Sequence, residues 1–211
     1  MNLDVIGLGA LNMDNLYLVD RILDDGETVV NEAISTPGGS AANTIYGLAR
    51  LGVSTGFMGV VSSDAEGKLL LQDFQDVGVD TSHIRIKPGA KTGAVVCLSD
   101  QQGKRALYVL PGVNNELSGD DIDLAYLNRA RMLHISSFVH DQQFQLTREL
   151  VAKLGAAIRL SFSPGTLYAT RGLSALAPIL KRTYLLFLNH RELRQLTGQD
   201  IIAGAATCLS E

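Results

Sequence analysis

Short apolar runs rich in β-branched residues alternate along this chain with longer stretches whose apolar positions recur every three or four residues. Residues 5–8, 56–61, 132–136, 158–162 and 184–188 read as buried strands. Between them, Leu70, Phe74 and Val77 mark one helical stripe, and Phe144, Leu150, Val151 and Leu154 mark a second. Leu173, Leu176, Ala177 and Leu180 mark a third. The alternation predicts an α/β fold, a doubly wound and mainly parallel sheet with helices on both faces.

Two stretches fall outside this series. KTGAVVCLSD and KRALYVL, joined by a polar turn at 100–103, read as a β-hairpin over 91–110. TVVNEAI, 28–34, follows the turn residues Asp24, Asp25 and Gly26 and reads as another strand. Strands that belong to no crossover need a separate place to pair. They predict a small, mostly antiparallel β lid that covers a pocket or meets a second subunit; extra edge strands on the main sheet are the alternative.

Composition narrows the classes of function. The 211 residues are 46% hydrophobic and 19% charged, values of an ordinary globular protein large enough for a sizeable core. A net charge of −4 provides no basic footprint for nucleic acid. The N-terminal stretch carries Asp4 and Asp14 without a basic flank, and no apolar run reaches the roughly 18 residues of a membrane span, so the cytoplasm is the expected compartment. Cys97 and Cys208 form no CxxC and read as two small buried thiols.

Three stretches carry candidate chemistry. In TPGGSAANTIYGLARLG, 36–52, Ser40 reads as the N-cap of a helix with Ala41, Ile45 and Leu48 buried and Gly52 as its left-handed stop. First-turn N–H groups lack internal partners, and Gly38 and Gly39 let a ligand approach their backbone, with Asn43 beside them. A well-capped helix behind a glycine turn is the plainer reading. In GLGALNMD, 7–14, the dinucleotide pattern fails at Asn12; Asp14 could accept hydrogen bonds from sugar hydroxyls, or serve as a turn residue. In NHRE, Asn189 and Glu192 share one face of a starting helix, where Glu192 could hold water around Mg²⁺ and Asn189 a phosphate oxygen, or the two could simply cap the helix. Strand order could bring all three stretches together outside the carboxyl ends of the sheet. No GxxxxGK[ST], GxSxG, HExxH or HRD occurs. Of the scattered histidines, His134 reads as a satisfied core residue.

Together these stretches resemble the ribokinase-like, PfkB-type family of carbohydrate and nucleoside kinases. The ordered set is GxxNxD (Gly9, Asn12, Asp14), GGSAAN (38–43), LARLG (48–52), DAEG (64–67), GVDTSHI (78–84), Thr92-Gly93, PGVNN (111–115) and LNHREL…TG (188–198). The resemblance implies one ribokinase-like domain, incomplete over 1–211, with lid segments at roughly 15–20, 28–36 and 91–110. It implies transfer of the ATP γ-phosphoryl group to a sugar or nucleoside hydroxyl, with Asp14, Gly38, Gly39 and Asn43 at the sugar and Asn189 and Glu192 organising Mg²⁺ and phosphate, Glu192 reaching the metal through water. It also implies a possible homodimer through lid strands. Ser62, Ser63 and Ser163 depart from the family pattern. No GAGD, the family's anion hole and catalytic base, occurs, and Gly119-Asp120 has neither its context nor its flanks. The stretch therefore corresponds to the N-terminal two thirds of such a kinase, expected to be inactive alone. A non-enzymatic sugar-binding or regulatory module is the alternative, and a dehydrogenase, resting on GLGALN, a third.

Overall fold

A computed structural model of the protein describes residues 3–209. The strands are Leu3–Leu8 (β1), Asn12–Val19 (β2), Val30–Gly38 (β3), Thr55–Ser62 (β4), Asp80–Lys87 (β5), Gly93–Asp100 (β6), Arg105–Leu110 (β7), Ala130–Ser136 (β8), Arg159–Ser163 (β9) and Thr183–Leu186 (β10). The helices are Ser40–Arg50 (α1), Ala65–Asp76 (α2), Leu124–Leu127 (α3), Asp141–Lys153 (α4), Gly165–Ala169 (α5), Leu173–Leu180 (α6), His190–Thr197 (α7) and Ile201–Leu209 (α8).

Six strands form a parallel sheet in the order β10-β9-β8-β1-β4-β5. Alternating side chains feed two cores. Ile6, Leu8, Leu133, Ile135 and Phe162 pack with α4, α5 and α6 on one face, while Val5, Phe57 and Val61 pack with α1 and α2 on the other. All of β4 is buried, as a strand covered on both sides must be. The chain winds from β1 through β4 to β5 on one side and then returns to build β8, β9 and β10 on the other side of β1, so a switch point lies at the carboxyl end of β1.

The doubly wound sheet and the expected strands recur, with differences at the margins. Strand β5 was not expected: its HIRIK segment is half polar because β5 is the sheet edge. The fifth expected strand ends at Leu186 rather than 188, and the third strand begins at Val30 and runs on through Pro37 to Gly38. Proline is tolerated there because β3 is also an edge.

The remaining strands make a second, mixed sheet, β3-β2-β6-β7, in which β2 is antiparallel to β3 but parallel to β6. It rises from the switch point, because β2 follows β1 after three residues.

Candidate acceptor site at the switch point

Asp14 lies inside β2, not in a turn, so strand alternation decides its surroundings. In register, Asp14 stands opposite Thr36 and Val95, and Asn12 opposite Gly38 and Gly93. A Cβ on Gly38 would overlap the Asp14 carboxylate, so glycine there leaves that side chain its place. Gly39 has φ of 108°, and a Cβ would strike the Ala10 carbonyl oxygen.

The cap of α1 corrects the expectation for Ser40. Gly39 is the N-cap and Ser40 already belongs to the helix, with no side-chain cap. A side-chain cap is replaced by a tertiary one: the Ala41 N–H donates to Ser136 Oγ at 3.1 Å, across from β8. Ala41 and Ile45 are buried and Gly52 takes φ of 84°, as the spacing predicts. Gly38 and Asn43, with Thr36, Tyr46 and Asp73, line a cleft of about 260 Å³. Asp14 lies against Gly38 at the N-terminal end of α1, next to Gly39, although neither Asp14 nor Gly39 lines this cleft.

Electrostatically, Asp14 is the unusual member of this group. Its Oδ1 is buried with no hydrogen-bond partner, and burial raises its carboxyl above the ordinary value. A buried, unsatisfied carboxylate oxygen is costly, so it marks a place where a donor from outside the chain would be welcome. A larger cavity, about 830 Å³, lies on the other side of the small sheet, where Met13, Asn15 and Ala94 face Leu69 of α2.

Asn189 and Glu192 sit after β10, at the same end of the main sheet. Asn189 Oδ1 accepts the Glu192 N–H at 2.9 Å and Glu192 Oε2 accepts the Asn189 N–H at 3.1 Å, a reciprocal cap of α7. Strands β8 and β9 stand between β10 and β1, so the pair lies roughly 14 Å from the switch point, at ~4.8 Å per strand spacing.

Other motifs turn out to fasten the small sheet. Asp64 caps α2 through the Gly67 N–H and accepts both the Thr92 N–H at 2.8 Å and its hydroxyl at 2.5 Å. Burial pushes the Asp64 carboxyl up, but these hydrogen bonds and the Lys91 charge outweigh it and hold it below the ordinary value. The departure at Ser62 is part of the same knot, since its Oγ donates to the Ala90 carbonyl at 2.5 Å. Sequence reasoning found these motifs but assigned them no role, because their partners lie about 28 residues apart in the chain. His134 is only half satisfied: Nδ1 meets Ser161 Oγ at 2.8 Å, while Nε2 is buried without a partner. Cys97 is buried and Cys208 partly so. Among the described residues, no helix is long and apolar enough to cross a membrane.

The sequence model of the pfkB family carbohydrate kinases matches residues 2–211. An uncharacterized sugar kinase of Archaeoglobus fulgidus is 34% identical over 163 residues, 77% of this chain and 65% of the relative. The ATP-dependent ribose-1-phosphate kinase of Halopiger xanaduensis is 32% identical over 197 residues, 93% of this chain and 64% of the relative. The chain thus spans just under two thirds of the length of these curated relatives. The ribokinase of Arabidopsis thaliana, solved with ribose and ATP, has a TM-score of 0.78 at 23% identity, covering 100% of this chain and 69% of that one, a likeness of fold.

Proposed function

Because the chain belongs to the pfkB family of carbohydrate kinases, we propose that it carries the acceptor-binding part of a kinase that moves the γ-phosphoryl group of ATP to a sugar or nucleoside hydroxyl. The observation that carries this reading is the unpartnered Asp14 oxygen beside the glycine backbone at the start of α1. Asp14 accepts hydrogen bonds from acceptor hydroxyls, the Gly38-Gly39 backbone lets the sugar ring come close, and Asn43 offers both a donor and an acceptor at its rim. The small sheet, with segments 15–20, 28–36 and 91–110, serves as the lid that keeps water from the transferring phosphoryl group.

Phosphoryl transfer asks a protein chiefly for positioning and charge neutralisation. The donor set at Asn189 and Glu192 fits a water-mediated hold on Mg²⁺ rather than a cage, because it offers one partly buried carboxylate with an oxygen already engaged in the α7 cap. When bound, the ion would neutralise phosphate charge, and Asn189 would donate to a phosphate oxygen. No GAGD occurs among the 211 residues, so the catalytic base is assigned to none of them. Binding without turnover is the expected behaviour of this chain, in the cytoplasm where ATP is plentiful.

One row beyond Asp14, the same face of the lid exposes Ile34 (52%) and Leu107 (57%). That apolar surface suits a second lid, and the protein pairs through it as a homodimer. Leu107→Glu should then yield monomers in sedimentation equilibrium.

Calorimetric titration with D-ribose, ribose 1-phosphate, D-fructose and adenosine tests the central reading. At least one should bind in the micromolar to millimolar range, without ATP turnover in a coupled assay. No binding across the panel would overturn the acceptor site, and robust turnover would overturn the assignment of the base outside these residues.

A further inference from the structure

Resting on that acceptor-site reading, we infer that Asn114 is a positioning residue that pins the strand carrying Asp14. Asn114 is 3% exposed and sits in a 3₁₀ turn, Gly112–Glu116, just after β7. Its Oδ1 accepts the Leu11 N–H at 3.1 Å and its Nδ2 donates to the Leu11 carbonyl at 3.1 Å, so it pairs with Leu11 as a neighbouring strand residue would. The same Nδ2 reaches Asn12 Oδ1 at 3.0 Å and the Pro111 carbonyl at 2.9 Å. Three acceptors surround that one nitrogen, which fixes the amide orientation: a flipped side chain would set oxygen against oxygen.

Four backbone connections tie the lid to the main sheet: into β2, out of β3, into β6 and out of β7. Asn114 binds the first through Leu11 and Asn12 and the last through Pro111. It also presses on the third, since a Cβ on Gly93 would overlap its Nδ2. Asn12 lies two residues before Asp14 on the same strand face, so locking the Asn12 side chain and the Leu11 backbone sets the height and tilt of the Asp14 carboxylate. A site held this way loses affinity when its support is loosened by a fraction of an ångström, although the supporting group touches no ligand.

Asn114→Asp keeps the shape but turns the donor nitrogen into an oxygen facing three acceptors; Asn114→Ser removes the reach without adding charge and carries the comparison if the first variant does not fold. Val151→Ala, on the buried face of α4, serves as a control of comparable instability. Two readouts are taken: affinity for the sugar that the wild type binds, D-ribose being the reference probe, and amide exchange of β2 and β6 against Ile6 and Met58 of the main sheet. The expected result is a loss of roughly tenfold or more in sugar affinity for the Asn114 variants and less than twofold for the control. Exchange in β2 and β6 should rise at least tenfold in the Asn114 variants while Ile6 and Met58 track the control. Asn114 variants that fold and bind sugar as the control does would overturn the inference. If the wild type binds no sugar, the acceptor-site reading fails, and exchange alone decides the pin: selective loosening of β2 and β6 supports it, and uniform loosening overturns it.

Discussion

At the scale of single residues, the proposed acceptor role of Asp14 sets affinity against stability. Burial raises its carboxyl, so folding disfavours the charged form. The cost is absent below the unfolded value near pH 4 and grows as pH rises through the folded value. Asp14→Asn keeps the shape and removes the charge. Its melting temperature at pH 7 should equal or exceed that of the wild type, the difference closing below about pH 4, while sugar affinity falls roughly tenfold. Thermal scans at both pH values and calorimetry check this, and a clearly lower melting temperature at pH 7 would show that the carboxylate is satisfied within the fold. The identities of Asp14 and Gly38 were legible in the sequence as a motif. Their mutual contact was not, since it depends on the antiparallel register of β2 against β3.

Among elements, helix starts separate what is local from what is tertiary. The α7 cap is local, with both partners three residues apart, and NHRE announced it. Asn189→Ala should cost about 1 kcal/mol, and hence roughly 2–4 °C in melting temperature, by removing that cap. It should leave sugar affinity unchanged because three strand spacings separate it from Asp14. A drop in sugar affinity without a drop in stability would instead couple the β10 edge of the sheet functionally to the switch point at β1. The α1 start is tertiary: its N–H is satisfied by Ser136, 95 residues away, so Ser40 only looked like the cap. The Asp64–Thr92 knot and Asn114 are of the same kind, chemically plain side chains whose roles appear only when the connections of the small sheet meet.

For the molecule as a whole, the parallel sheet buries His134 among its strands, and burial pushes the imidazole down to about 4. Stability from keeping it neutral is complete above the unfolded value near 6.5 and is lost as pH falls from there toward 4, on the order of 3 kcal/mol in all. Urea unfolding of His134→Gln should therefore fall less between pH 7 and pH 4.5 than that of the wild type; parallel losses would mean that other groups dominate acid sensitivity. The alternation of strands and helices, the polar gaps and the ordered motifs determined from sequence alone that the chain is a doubly wound sheet with an extra small sheet, because burial imposes periodicity on each element separately. Tertiary structure alone decided the edge strand β5, the mixed pairing of the small sheet, the meeting of Asp14 with Gly38 and the knots at Asn114 and Asp64. Those depend on register and on contacts between residues far apart in the chain, and a polar side chain satisfied by a distant partner leaves no periodic mark in the sequence around it.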